Sequence, residues 1–323
     1  MFLWGQEVLV EKLEKISGFK LDSQLIKKIN SIKDLELSID VELTKLTTLQ
    51  LKSSGTLISC RSEKSLIELI KVFAQFDQKF QVIGNGSNSL LPQRVTTPLI
   101  KLDLGLDKSI FNQVQSEYNL PASTPLNLLT SKAIKHGFKG WNSFTGIPGT
   151  LGGAIYMNAG TSKGEISSIV SSVKVLRANG ILEVLDVAPS DFSYRKNHFL
   201  NQRDIIISAK IKHLGTDSNV ANEIKSYLKL RSDTQPLWEK TCGCTFKNHI
   251  SEGTTCAAGK VIDILGLKGT EHKGLKVSTK HGNFIENLGS ATKESYLELV
   301  DKINSAVEKE NGYKFETEVV IFN

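Results

Sequence analysis

Cysteine is scarce in this chain: Cys60, Cys242, Cys244 and Cys256 are the only four in 323 residues. That count excludes the disulfide framework of a small secreted scaffold. Long apolar runs are missing too. None approaches the ~20 residues that a spanning helix needs, so no membrane partner is expected. No block of five like charges occurs. A nucleic-acid-binding stripe would cluster its cations, so nucleic acid is not an expected partner either. There is no internal repeat and no low-complexity tract. The opening Met-Phe-Leu-Trp-Gly-Gln-Glu has no basic n-region, apolar h-region or small-residue cleavage site. The expectation is no secretory signal and a reducing, cytoplasmic setting.

What is present describes a globular protein, with 40% apolar and 23% charged residues. The length points to two or three domains. Lys and Arg number 40 against 34 Asp and Glu, an excess of 6 spread along the chain. Such an excess is a solvated surface or a mild attraction for anions such as phosphates.

Residues 1–40 mix Lys and Glu with modest apolar periodicity and read as an N-terminal helical surface extension. A regular pattern starts near Val41. Ser65 and Glu68 form a capping-box pair ahead of Leu66, Leu69, Ile70, Phe73 and Phe76 at helical spacing. Residues 80–83 form a short β-type run. Asn179-Gly180 signals a hairpin between β-rich runs at 173–176 and 181–187. Residues 205–211 read as a strand and 215–219 as a linker, with a helix following through Tyr227 and Leu230. Tyr296, Val300, Ile303 and Val307 form a helical stripe that Gly312 would cap, and 315–322 close the chain as a strand. Helices and strands mix without steady alternation, which predicts an α+β fold.

Two glycine clusters carry chemistry. Gly84-Asn85-Gly86-Ser87-Asn88 follows a strand, so successive backbone N–H groups could converge on an anion, with Ser87 and Asn88 adding side-chain donors. It lacks the third glycine of the dinucleotide fingerprint, and an ordinary turn explains it as well. Gly146-Ile147-Pro148-Gly149-Thr150-Leu151-Gly152-Gly153-Ala154 precedes Asn158-Ala159-Gly160. Five glycines in these fifteen residues let backbone lie against a large flat or phosphorylated ligand. The interleaved Ile147, Leu151, Ile155, Tyr156 and Met157 oppose a plain solvated loop. Cys242, Cys244, His249 and Cys256 admit a different reading, a zinc module of three thiolates and an imidazole, although the spacing is not Cys-x-x-Cys.

The glycine clusters resemble the pyrophosphate loop and flavin segment of the UDP-N-acetylenolpyruvoylglucosamine reductase family. The resemblance continues in Tyr194-Arg195, Gly243-Cys244-Thr245-Phe246-Lys247-Asn248, Ala258-Gly259-Lys260, Gly266-Leu267-Lys268-Gly269, Ser278-Thr279-Lys280-His281-Gly282-Asn283-Phe284 and Glu316-Thr317-Glu318-Val319. It spans about residues 46–322, in the family's order. It implies a two-lobed FAD-binding region of the vanillyl-alcohol-oxidase type, over 41–103 and 104–214, with a substrate-binding domain over 215–323. The short interval from Arg195 to Cys244 resembles the compact type without an extra substrate loop.

By the same resemblance the cofactor is non-covalent FAD. NADPH is the hydride donor, and the substrate is a UDP-sugar carrying an enolpyruvyl ether, a precursor of peptidoglycan. Gly84 to Asn88, with Gly146, Ile147, Pro148, Gly149, Gly152, Gly153 and Ala154, would hold the cofactor. Tyr194, Lys247, Asn248, Lys280, His281 and Asn283 would meet the substrate. Cys244, Arg195 and Glu318 would be catalytic, with Glu316 the fallback for the last, and a single chain is expected to suffice. Hydride addition drives charge onto the substrate carboxylate, and a guanidinium fork suits that carboxylate. Cys244 stands where the family usually has a proton-donating serine. A thiol of ordinary pKa, ~8.5, is mostly protonated at neutral pH and can do the same work. A buried structural cysteine is the plainer alternative. Another flavin oxidoreductase, or an inactive flavin binder suggested by Ser53-Ser54-Gly55 where the family often has a glycine pair, also stays open.

Overall fold

The structure, a computed structural model, describes residues 21–251 and 253–323. The first unit is built on helix α1 (Ser23–Ser31), strands β1 (Leu35–Glu42) and β2 (Ser54–Cys60), helix α2 (Glu63–Gln75), and strands β3 (Gln81–Ile83) and β4 (Leu99–Leu102). The four strands lie in the order β1-β2-β4-β3. β1 is antiparallel to β2, whereas β2 and β3 both run parallel to β4. α2 starts earlier than the sequence predicts. Ser62 is its N-cap and accepts from the Ser65 amide at 3.3 Å, while the Ser65 hydroxyl turns back to Ser62 at 2.6 Å.

The extension predicted over 1–40 divides. Residues 1–20 lie outside the described residues, but 21–40 belong to the core. Leu21, Leu25, Ile29 and Ile32 are buried with Ile58, Leu66, Leu69 and Ile100. Their spacing of four, four and three is a helical stripe, but so narrow that the lysines around it mask it.

The second unit is an antiparallel sheet of β5 (Glu117–Pro121), β6 (Val170–Leu176), β7 (Leu182–Asp186) and β8 (Ile205–Lys212), in the order β7-β6-β8-β5. The Asn179-Gly180 turn joins β6 to β7 as expected, with Gly180 at φ +81°. Helices α3 (Leu126–His136), α4 (Leu151–Tyr156) and α5 (Val220–Thr234) pack with it around Trp141, Phe138 and Tyr118. The packing continues across the expected boundary at 214/215. Val220 and Ile224 of α5 are buried in this same core, so the packing unit runs on to Thr234.

The C-terminal unit holds α6 (Ala258–Ile264), a sheet of β9 (Glu271–His272), β10 (Leu275–Val277) and β11 (Ile285–Asn287), and α7 (Lys293–Asn311). Tyr296, Leu299, Ile303 and Val307 of α7 pack on Ile262, Val277 and Ile285. Gly312, at φ +77°, ends α7 in the left-handed conformation that favours glycine. The predicted final strand is two shorter pieces. Thr317 bridges to Phe246 within this unit, while Val320–Ile321 pairs in parallel with Ser89–Leu90 of the first unit. Leu49, Leu51 and Leu90 join the C-terminal core, and Asn287 Nδ2 donates to the carbonyls of Leu49 (2.9 Å) and Gln50 (3.0 Å). Among the described residues no helix is long and apolar enough to cross a membrane.

Candidate active site

Arg195 sits between two short antiparallel strands, Phe192–Ser193 and Lys196–Asn197. Its φ is +59°, a conformation that costs a side-chain-bearing residue roughly 1–2 kcal/mol. The turn delivers the guanidinium inward, where it is 16% exposed. Nε donates to Glu318 Oε1 at 3.0 Å, Nη1 to the Asn158 carbonyl at 3.5 Å and Nη2 to the Gly160 carbonyl at 3.4 Å. The Tyr194 ring lies 4.9 Å from the guanidinium carbon. Tyr194 Oη in turn accepts from the Asn248 amide at 3.3 Å, which ties this turn to the C-terminal unit.

The stretch 244–247 runs between two neighbours. On one side the Thr245 amide donates to the Asn283 carbonyl, and Cys244 bridges Phe284. On the other the Glu318 amide donates to the Thr245 carbonyl and the Lys247 amide to the Glu316 carbonyl, each at 2.8 Å. Asn283 is buried, and its amide is spent on Phe246. Oδ1 accepts from the Phe246 N–H at 2.9 Å, and Nδ2 donates to the Phe246 carbonyl at 2.8 Å. It thus clamps this strand. The register also separates the two glutamates. Glu316 is 73% exposed and pairs with Lys247 Nζ at 2.6 Å, whereas Glu318 is 11% exposed and faces Arg195.

Burial raises the Glu318 carboxyl above the usual glutamate value, against the pull of Arg195 and Lys247. Burial, aided by the Glu318 charge, pushes the Cys244 thiol up to about 12, while Arg195 and Arg231 oppose the rise. Cys244 is therefore not the ordinary thiol expected from sequence. It holds its proton far more firmly, and two cations stand near enough to receive the thiolate once the proton has gone.

The glycine loops meet each other. A Cβ on Gly84 would lie 2.8 Å from Thr150 Oγ1, and one on Gly149 would lie 3.7 Å from Ser87 Oγ. Gly152 packs on Ala122, where a Cβ would come within 2.8 Å of the alanine methyl. Thr150 caps α4 through the Gly153 amide at 3.3 Å, with Ala154 buried one residue on. Between the loops lies a cleft of about 450 Å³, lined among others by Asn85, Pro125, Ile147, Pro148, Gly149 and Leu228. Asn88 belongs less to this cleft than expected. Its Nδ2 donates to the Glu318 carbonyl at 3.0 Å, and its own carbonyl accepts from Val320.

The remaining predicted residues are spread more widely. Asn248 Oδ1 accepts from the Ala258 amide at 3.1 Å, at the start of α6. Lys280 is exposed and reaches the Ser232 carbonyl at 3.2 Å. His281 packs against Gly259, and burial, with Lys268 and Arg231 nearby, lowers its pKa. The zinc reading fails. Cys242 is buried beside Tyr296 Oη (3.4 Å), His249 stacks on Tyr313 at 4.0 Å, and no metal-holding group of three or more His, Cys, Asp or Glu exists among the described residues. Arg231 escaped the sequence reading. Its Nη1 donates to the Thr145 carbonyl at 2.7 Å, beside Gly146 and within reach of Cys244's charge. Nothing around Arg231 in α5 distinguishes it from a solvated helical arginine.

Residues 235–322 match the C-terminal domain of UDP-N-acetylenolpyruvoylglucosamine reductase, and 56–186 match an FAD-binding domain. The UDP-N-acetylenolpyruvoylglucosamine reductase of Chlamydia pneumoniae is 35% identical over 79% of this chain and 81% of its own length. That of Halalkalibacterium halodurans is 31% identical over 92% and 97%. The crystal structure of the enzyme from Thermus caldophilus superposes with a TM-score of 0.72 at 30% identity, covering 90% of this chain and 99% of that one. The chain belongs to the UDP-N-acetylenolpyruvoylglucosamine reductase family.

The α+β fold is that family's, and residues 56–186 supply its FAD-binding domain. The residues present fit FAD. The cleft is walled by both glycine loops. Beside it two buried hydroxyls have no partner among the described residues: Thr48 Oγ1, whose own amide donates to the Gly86 carbonyl, and Thr124 Oγ1, whose carbonyl accepts from Leu151. An unpaired buried hydroxyl is costly, so such atoms suit a polar ligand laid over the loops. Ser53, by contrast, is committed to the fold, donating to the Pro92 carbonyl at 2.8 Å.

Proposed function

We propose that this protein reduces UDP-N-acetylglucosamine enolpyruvate to UDP-N-acetylmuramate, with NADPH as reductant and FAD held non-covalently. The observation that carries the reading is the convergence of Arg195, Glu318 and Cys244 from separate parts of the chain, with Arg195 bonded to Glu318 at 3.0 Å and both charges acting on the Cys244 thiol. When bound, the flavin supplies the hydride.

The protein's own residues manage charge and proton. Hydride addition to the enolpyruvyl group places an electron pair on its carboxylate as an enolate. Arg195 has five N–H groups and spends three within the protein, which leaves one on each terminal nitrogen for a carboxylate. Cys244 Sγ–H then gives its proton to C2, and the thiolate left behind is favoured by Arg195 and Arg231. Glu318, its carboxyl raised by burial, holds Arg195 and in its protonated form would donate toward the growing anion. Lys247, Asn248, Lys280 and His281 flank the site where a nucleotide-sugar would extend. One chain supplies every named group, so a monomer suffices. NADPH and a UDP-sugar as reactants support a cytoplasmic setting, at a step of peptidoglycan precursor synthesis.

An absorbance scan of purified protein should show a flavin spectrum, and acid precipitation should release all of the colour to the supernatant. NADPH oxidation should then depend on the UDP-enolpyruvyl sugar. A colourless protein, or oxidation indifferent to that sugar, would overturn the reading.

A further inference from the structure

We propose that Asn158 is the positioning residue that aims Arg195 at a carboxylate. The proposal rests on the reading above, in which Arg195 meets the carboxylate of the substrate. Asn158 is 1% exposed and sits at φ +47°. Every hydrogen-bonding atom of its side chain is engaged. Nδ2 donates to the Ser193 carbonyl at 3.0 Å and to Glu165 Oε2 at 2.9 Å, and Oδ1 accepts from the Ser167 amide at 3.3 Å. Its own carbonyl accepts from Arg195 Nη1 at 3.5 Å.

One residue thus grips Arg195 from two directions. Through Ser193 it fixes the strand that enters the turn two residues before Arg195. Through its carbonyl it fixes one tip of the guanidinium, and the Gly160 carbonyl two residues on fixes the other at 3.4 Å. The left-handed backbone at Asn158 turns its carbonyl toward Arg195 while the side chain reaches back under Ser193. Glu165 completes the arrangement, bonded to Asn158 and 3.9 Å from Arg195 Nη1. With three N–H groups held, the guanidinium cannot rotate, and its two free N–H groups point in a set direction. A fork held in advance keeps its orientational entropy cost out of binding.

The test compares two ligands in each FAD-loaded variant. One is the product, UDP-N-acetylmuramate. The other is the same UDP-sugar without the carboxylate-bearing ether. Affinities are read from the perturbation of the flavin absorbance. In wild type the product should bind at least tenfold more tightly. Asn158→Ala should lose most of that preference, with binding of the carboxylate-free sugar and the flavin content unchanged. Asn158→Asp should lose it as well, because both donors go and a second carboxylate faces Glu165. Adding Glu165→Gln to that variant restores a donor–acceptor pair of reversed sense and should recover part of the preference. Should Asn158→Ala not fold, Asn158→Ser keeps a short donor and is read in the same way. Equal weakening of both ligands, an unchanged preference, or loss of flavin would overturn the proposal. Absence of any preference in wild type would instead show that Arg195 meets no carboxylate, and the functional reading would fail first.

Discussion

The carboxylate of Glu318 accepts the Nε–H of Arg195 at 3.0 Å, although 123 positions separate the two in the chain. The pair joins the second unit to the last few residues of the C-terminal unit. Asn88 of the first unit donates to the Glu318 carbonyl at 3.0 Å, so all three units meet at one residue.

Arg195→Lys keeps the positive charge but has one donor centre where the guanidinium has three. Nε holds Glu318 while Nη1 and Nη2 hold two main-chain carbonyls, and an ammonium cannot span all of these. We expect the flavin spectrum to survive and NADPH still to bleach it. Reoxidation by the UDP-enolpyruvyl sugar should slow by on the order of 100-fold, the usual cost of losing one donor to a developing anion. Stopped-flow absorbance separates the two half-reactions, and loss of flavin from this variant would assign Arg195 to the cofactor instead.

Glu318 should set a pH dependence of known sign. Burial holds its carboxyl above the ordinary glutamate value, so it keeps its proton to higher pH than an exposed glutamate. With the protonated form active, the substrate-driven step should be fastest below the raised value and fall about tenfold per pH unit above it. Glu318→Gln stays neutral throughout and should flatten that limb. Stability follows the same sign. The unfolded chain ionises first, so the folded state loses ground as the pH rises between the two values. A wild-type rate that climbs across this window would reverse the assignment.

Much of this site was legible from sequence because its motifs sit where backbone must take a special shape. The glycine loops, the Tyr194-Arg195 turn and the 243–248 stretch fall in this class. What stayed hidden depends on contacts between distant segments. Asn283 matches a substrate-domain motif, and only the fold shows that its amide also clamps Phe246. Glu316 and Glu318 differ only by strand register, and that register is set by the Lys247 amide bonding to the Glu316 carbonyl. Arg231 and the buried face of α1 carry no motif at all, since a half-buried arginine and a one-sided stripe look like surface until a partner covers them.

That stripe gives a stability prediction. Leu25 is 1% exposed within the core of the first unit. Leu25→Ala should cost about 2–5 kcal/mol, the range for a large-to-small change at a fully buried site. A lowered urea midpoint with an unchanged slope would check it. A cost under about 0.5 kcal/mol, typical of surface substitutions, would return residues 21–40 to the role of an appendage.

The sharpest chemical prediction concerns Cys244. Its thiol is pushed up to about 12, chiefly by burial and then by Glu318. At pH 8 that leaves very few thiols ionised. Alkylating reagents attack the thiolate, so iodoacetamide should label Cys244 far more slowly than an unstructured cysteine, and brief treatment near neutral pH should leave turnover intact. A firmly held proton is still a usable one, because hydride addition leaves a strongly basic enolate to take it, and Arg195 and Arg231 favour the thiolate left behind. Cys244→Ala should bind FAD and be bleached by NADPH normally. Its substrate-driven reoxidation should slow by ~100- to 10,000-fold, the usual cost of removing a general acid. Cys244→Ser keeps a donor at the same position and should retain substantial activity. Solvent deuterium supplies a further measure. Proton transfer from Cys244 to C2 should slow the second half-reaction in heavy water for wild type and Cys244→Ser, with the first half-reaction unaffected. An alanine variant that reoxidises as fast as wild type would remove Cys244 from the chemistry and leave it a structural residue of the strand that Asn283 clamps.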